Sequence, residues 1–150
     1  MRTVDRALVR TSVERVFAVA ADVERWPSFL PHYRWVRVLK RAEKGGMVEM
    51  AAWRPFGPLR YPTWWVSEMR VVPAQAVRYR HVQGITRGMN VEWQFHQEAE
   101  GVAVTIVHQW TGPDWPVIGR LAADWVIGPV FIHGIASRTL AGVKARAEAA

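Results

Sequence analysis

Apolar and polar positions change their period three times along this chain, and each change predicts a different element. Residues 2–11 nearly alternate, with Val4, Ala7 and Val9 set among arginines, which predicts an opening strand. Thr11 or Ser12 then offers an N-cap. Val13, Val16, Phe17 and Ala20 follow at helical spacing and make one buried stripe. Trp26-Pro27 is expected to close this helical region, and Pro31 blocks any further helix because proline lacks a donor and restricts the residue before it. From Tyr33 to Thr111 the chain reads as six strands. Turn signals separate them at Glu43-Lys44-Gly45-Gly46, Pro55-Phe56-Gly57-Pro58, Val72-Pro73-Ala74-Gln75, Gly84 to Gly88, and Glu98-Ala99-Glu100-Gly101. Connections this short join antiparallel neighbours.

After Gly112-Pro113-Asp114-Trp115-Pro116 the helical period returns. Val117 to Ile127 is expected to form a short helix or lid, and Pro129 suits the first turn of a new helix. Ile132, Ile135, Ala136, Thr139, Leu140 and Val143 then form a long apolar stripe. A single sheet followed by one amphipathic helix buries that stripe most economically on the sheet's concave face. The expectation is one α+β domain over residues 1–150, with about seven antiparallel strands curved around a long C-terminal helix and short helices after strand 1.

Composition narrows the chemistry. Nine tryptophans in 150 residues supply either a heavy core or the walls of a pocket for a flat apolar ligand, and core is the expected place for any one of them. The absence of cysteine excludes disulfides, zinc ribbons and thiol nucleophiles. The first residues lack the apolar core of a signal peptide, and no run approaches the roughly 20 apolar residues of a membrane span. A cytoplasmic protein without stable membrane insertion is therefore expected. The net charge of +7 comes from scattered arginines, with no phosphate loop and no zinc-finger signature. Nucleic acid is accordingly not expected as a partner, and oligomeric state is left open.

Side chains alternate faces along a strand, so the uncharged set of each strand marks the inner face. The fourth strand puts Trp65, Ser67 and Met69 inside and Arg70 outside; the fifth puts Tyr79 and His81 inside. Trp93 and Phe95 face inward on the sixth, and His108 and Trp110 on the seventh. Tyr33, Met47, Met50 and Trp53 remain possible wall residues of the second and third strands. With Trp26 these form apolar walls carrying few polar points, the pattern of a small-molecule site. The expected ligand-binding set is Trp26, Tyr33, Trp65, Ser67, Met69, Tyr79, His81, Trp93, Phe95 and His108.

Val23-Glu24-x-Trp26-Pro27 with Tyr33 after it, Trp65-Val66-Ser67, and Met89-Asn90-x-x-Trp93 resemble the polyketide cyclase/dehydrase branch of the START-like (SRPBCC, helix-grip) superfamily, and within it the aromatic polyketide aromatase/cyclases. That resemblance implies a cavity between sheet and C-terminal helix. It also implies, for the enzymes, aldol ring closure and dehydration of a poly-β-ketone. Two positions depart from the enzyme pattern: Met69 stands where the family carries an arginine, and His81 where it carries a second. Loss of both cations removes the partner of an anionic substrate. Phe29-Leu30-Pro31 and the closing helix also resemble coenzyme Q-binding proteins of the superfamily, which need no catalysis.

The sequence therefore favours a binder or carrier of a hydrophobic aromatic, lipid or isoprenoid-like molecule. A cyclase or dehydratase with Tyr33 or His81 as acid–base group is the rival, and an interaction module using the basic outer surface is a third reading. No cofactor is implied. The five histidines, His32, His81, His96, His108 and His133, lack ligand spacing for a metal. Ser67 lacks a nucleophile-elbow sequence and a facing acid.

Overall fold

The computed structural model describes residues 1–56, 59–112 and 132–149. The elements run β1 (Arg2–Val9), α1 (Val13–Ala21), a 3₁₀ turn (Val23–Arg25), α2 (Trp26–Phe29), β2 (Tyr33–Ala42), β3 (Gly45–Phe56), β4 (Leu59–Val72), β5 (Ala76–Gly84), β6 (Asn90–Glu98), β7 (Gly101–Gln109) and α3 (His133–Glu148). The strands form one antiparallel sheet in the order β1-β7-β6-β5-β4-β3-β2. Six strands thus meander, and β1 closes on β7, leaving β1 and β2 as edges. The architecture is the helix-grip α+β fold.

Local chemistry accounts for the element ends. Ser12, not Thr11, caps α1, its hydroxyl accepting from the Arg15 amide at 3.2 Å. The opening strand stops at Val9, two residues earlier than the sequence pattern predicts. Pro27 does not end a helix: it sits in the first turn of α2, where its missing N–H has no intrahelical partner to lose. Ala42 pairs with Gly45, so Glu43-Lys44 alone turn the chain from β2 into β3. The expected lid at 117–127 and the helix start at Pro129 lie outside the described residues.

The α3 stripe is buried at Ile132, Ala136, Thr139, Leu140 and Val143, with Ile135 half-buried. It packs against β1, β3 and α1. At Gly142 a Cβ would collide with the Leu30 side chain, so glycine there lets the segment after α2 lie directly on the helix. Arg15 of α1 fastens the far end: its Nε donates to the Ala147 carbonyl at 2.6 Å, and its Nη2 to that of Ala149. These carbonyls are among those a helix C-terminus leaves unpaired, and a cation satisfies them well.

Two expectations from composition hold only in part. Trp26, Trp65, Trp93 and Trp110 are core, as expected of most tryptophans, but Trp35, Trp53 and Trp64 lie on the outer face of β2–β4, half-buried at the first two and 38% exposed at Trp64. The arginines are not all scattered either. Arg34 lies over both Trp35 and Trp53 at 4.6 and 4.7 Å, Arg37 over Trp35 at 5.1 Å, and Arg60 over Trp53 at 4.9 Å. Strand pairing brings Trp53 of β3 and Arg60 of β4 beside the Arg34-Trp35-Arg37 run of β2.

Candidate functional site

A cavity of about 100 Å³ lies between the concave face of the sheet and α3. Its walls follow the predicted alternation. Strands β3 and β4 contribute Met50 and Trp65, β5 contributes Tyr79 and His81, β6 Val91 and Trp93, and β7 Ile106 and His108. Trp26 of α2 and Tyr33 at the start of β2 close one side; Ile132, Ile135, Ala136 and Thr139 of α3 form the roof. Exposed Trp64 and Ile85 mark the rim.

Aromatic rings run through the wall as a continuous band. Trp26 sits 5.7 Å from Trp93 and 5.2 Å from Tyr33; Tyr33 is 6.2 Å from Trp65; and Trp65 stacks on His81 at 5.6 Å with the planes 3° apart. Packing of this kind holds the rings in place as well as removing apolar area from water.

Three predicted members stand away from the cavity. Phe95 is filled over by α1, edge-on to Phe17 at 5.2 Å. Ser67 and Met69 are buried on the predicted face but line no part of the cavity. They lie two and four residues beyond Trp65, about 7 and 13 Å further along the strand. Alternation gives the face of a residue but not its depth along a curved sheet. The remaining seven, Trp26, Tyr33, Trp65, Tyr79, His81, Trp93 and His108, do converge on it. Among the ambiguous residues Met50 lines the cavity, Met47 does not, and Trp53 is on the outer face. Glu49 also turns outward, accepting from Trp35 Nε1 at 3.0 Å and pairing with Arg37 at 3.5 Å.

The polar groups on the wall are neutral. Burial lowers the His81 pKa to about 3, with nearby His108 adding to the effect, and burial lowers His108 to about 4. His81 Nδ1 shares a hydrogen bond of 2.7 Å with Thr86 Oγ1. Burial raises the Tyr33 and Tyr79 hydroxyls above the ordinary tyrosine range. Arg70 remains outside, exposed and directly opposite Arg78. No acidic or basic side chain other than these neutral imidazoles and phenols reaches the wall among the described residues.

A polar node on α3 went unread in the sequence because Thr139 sits within an apolar stripe. Its hydroxyl donates to the Ile135 carbonyl at 2.8 Å, so it must accept from His32 Nε2 at 2.9 Å. That fixes His32 as the Nε2–H tautomer, and burial, helped by Arg138, lowers its pKa to about 4. The Tyr33 hydroxyl lies near the same threonine, which partly offsets the rise in its pKa. Asp5 was also missed: it is buried on the inner face of β1, where its Oδ1 meets His133 Nδ1 at 2.6 Å. Burial raises its pKa, and His133 works against that shift. Among the described residues no group of side chains could hold a metal ion.

Residues 9–125 match the family described as polyketide cyclase/dehydrase and lipid transport. The chain belongs to this family. No curated protein matches it. Among solved structures, TTHA0849 from Thermus thermophilus aligns over 98% of this chain and 97% of its own, with a TM-score of 0.81 at 19% identity. The Zhui aromatase/cyclase from Streptomyces sp. R1128 aligns over 99% and 93%, at TM-score 0.77 and 18% identity. A START superfamily protein from Mycobacterium smegmatis aligns over 97% and 92%, at 0.65 and 14%. At such identities the likeness is one of fold, and what this member of the family does must come from its own cavity.

Proposed function

We propose that this domain binds a compact, neutral, hydrophobic molecule between sheet and α3 and acts as a carrier or binding protein, without a cofactor. The observation that carries this reading is an aromatic wall with no ionised group: its histidines are held neutral and the nearest strand arginine faces out. Desolvating a charged ligand against such a wall is costly, because no ion waits inside to pair with it.

Three buried polar atoms of the wall, Trp26 Nε1, Tyr79 Oη and His108 Nδ1, have no hydrogen-bond partner among the described residues. Buried polar groups seek partners, and here the ligand would provide them. The favoured ligand is therefore apolar over most of its surface with one or two carbonyl or hydroxyl oxygens. Cavities of ~150 Å³ accept benzene, so the 100 Å³ here is somewhat short of that room and even a single ring needs a small outward adjustment of the wall. A longer isoprenoid or multi-ring ligand requires α3 or the rim to shift outward. We place this activity in the cytoplasm, with no nucleic acid as partner.

A second reading, a cyclase or dehydratase, draws on one observation: the neutral Tyr33 hydroxyl stands on the wall beside Thr139, a usable donor to a carbonyl oxygen. His81 fits such chemistry poorly, since a base with a pKa of about 3 accepts protons weakly near neutrality. Native mass spectrometry of the purified protein, with organic extraction, separates the two. A carrier releases its ligand chemically unchanged. Turnover of a hydroxy-ketone, with Tyr33→Phe cutting rate more than binding, would establish the enzyme instead.

A further inference from the structure

The outer faces of β2, β3 and β4 carry a feature that the cavity does not use. Arg37, Trp35, Arg34, Trp53 and Arg60 alternate as a stack, each guanidinium 4.6–5.1 Å from an indole centroid. Across the strands Trp35 pairs with Ala51 and Ala51 with Trp64, and the two indoles leave Ala51 wholly buried on what is otherwise the solvent side. Ile85, 52% exposed, adds apolar area beside Trp64 at the rim. Trp64 belongs to both features, standing in this patch and on the rim of the cavity.

We propose that this tryptophan–arginine face docks the protein, mouth first, on an anionic lipid surface. The proposal rests on the reading of the cavity as a site for a hydrophobic molecule, since a bilayer is where such a molecule is held or delivered. Three observations favour this occupant. Indoles and arginines together suit the headgroup boundary, where an apolar body and a polar or charged edge are both satisfied. Arg34 and Arg60 have no ion pair among the described residues, Glu49 answers only Arg37, and the whole chain carries +7. Anionic headgroups complement that charge.

A second copy of the chain fits worse. β2 is a sheet edge, and its Arg34, Arg37, Lys40 and Arg41 would meet their own kind in an antiparallel pairing. The docking is peripheral: no helix among the described residues is long and apolar enough to cross a membrane.

The test is co-sedimentation of the purified protein with phosphatidylcholine vesicles, alone and mixed with phosphatidylglycerol. Binding is expected to the mixed vesicles only, and to vanish at about 1 M salt, where charges are screened beyond ~3 Å. Each basic residue near an anionic surface contributes enough that Arg34→Gln with Arg60→Gln should weaken partitioning by about 30-fold. Arg70→Gln with Arg80→Gln, on the outer face of β4 and β5, should leave it within about 3-fold, as among the described residues no indole lies beside these side chains to carry them to the headgroups. Tryptophan emission quenched by brominated lipid, and less so in Trp64→Phe, gives a readout independent of the charge changes.

Equal binding to neutral vesicles, equal loss in both arginine pairs, or absence of vesicle binding overturns the proposal. So does saturable binding to an oligonucleotide in preference to the mixed vesicles. Cavity ligand bound normally by a protein that ignores vesicles removes the docking face alone; vesicle binding as expected by a protein that holds no ligand removes the cavity reading alone.

Discussion

Lowering the pH should unfold this protein through its interior histidines before its carboxylates matter. His32 and His81 are buried and His108 is half-buried, with pKa values held at about 4, 3 and 4, against 6.5 for the free side chain. A depressed histidine pKa means that the unfolded chain takes up a proton the folded chain refuses, so stability is complete above 6.5 and falls as the pH drops below it. Between about pH 7 and about pH 5 each such histidine costs about 2 kcal/mol, because the unfolded form gains about 1.4 kcal/mol per pH unit once it is protonated. Three together remove roughly 4–6 kcal/mol, a large part of the ~5–15 kcal/mol that holds a typical domain together. Asp5 acts in the opposite sense: its raised pKa makes protonation easier in the folded state, which flattens the curve at the acid end. Urea unfolding at a series of pH values measures this directly, and histidine NMR titration assigns it. A free energy of unfolding that stays flat over this interval, or interior histidines titrating near 6.5, would refute the neutral-wall argument.

Other expectations are separable. Tyr79→Phe removes a buried hydroxyl that has no partner among the described residues, so thermal stability should hold or rise by up to ~1 kcal/mol, while affinity for an oxygen-bearing ligand falls about 5–10-fold. Thr139→Val keeps the shape but deprives His32 Nε2–H of its acceptor; a loss of about 1–3 kcal/mol in chemical denaturation is expected, with no loss if the node is decorative. Arg15→Ala leaves the Ala147 and Ala149 carbonyls unmet and should cost about 1–2 kcal/mol and speed amide exchange in the last turn of α3. Trp65→Ala should lower ligand affinity several-fold and destabilise by ~3–5 kcal/mol, read by titration and melting respectively.

The strand-by-strand alternation was legible because each inner set lacks charge: Trp65 against Arg70, Tyr79 and His81 against Arg78 and Arg80, Trp93 against Glu92. It carried seven of the ten expected site residues to the cavity wall, while the short turns gave the meander of β2 to β7. Depth was not legible. Ser67, Met69 and Phe95 share a face with Trp65 and Trp93, yet α1 and the curvature of the sheet leave them outside the hollow. Residues contributed from across the fold were also hidden. Thr139 reads as one more stripe residue until His32 and Tyr33 are brought to it, and Asp5 reads as strand-edge charge until α3 delivers His133. Trp53 misled for the opposite reason: its cover is supplied by Arg34 and Arg60 of the neighbouring strands, a pairing visible only in register.

The most direct test pairs two ligands of one shape, a single-ring aromatic ketone and its carboxylate counterpart, titrated calorimetrically into the ligand-free protein near neutral pH. An uncharged wall predicts saturable binding of the ketone and affinity for the carboxylate weaker by at least about 100-fold, the cost of burying an unpaired ion. Equal or preferential binding of the carboxylate would show that a cation reaches the interior, and the account of this cavity would be wrong.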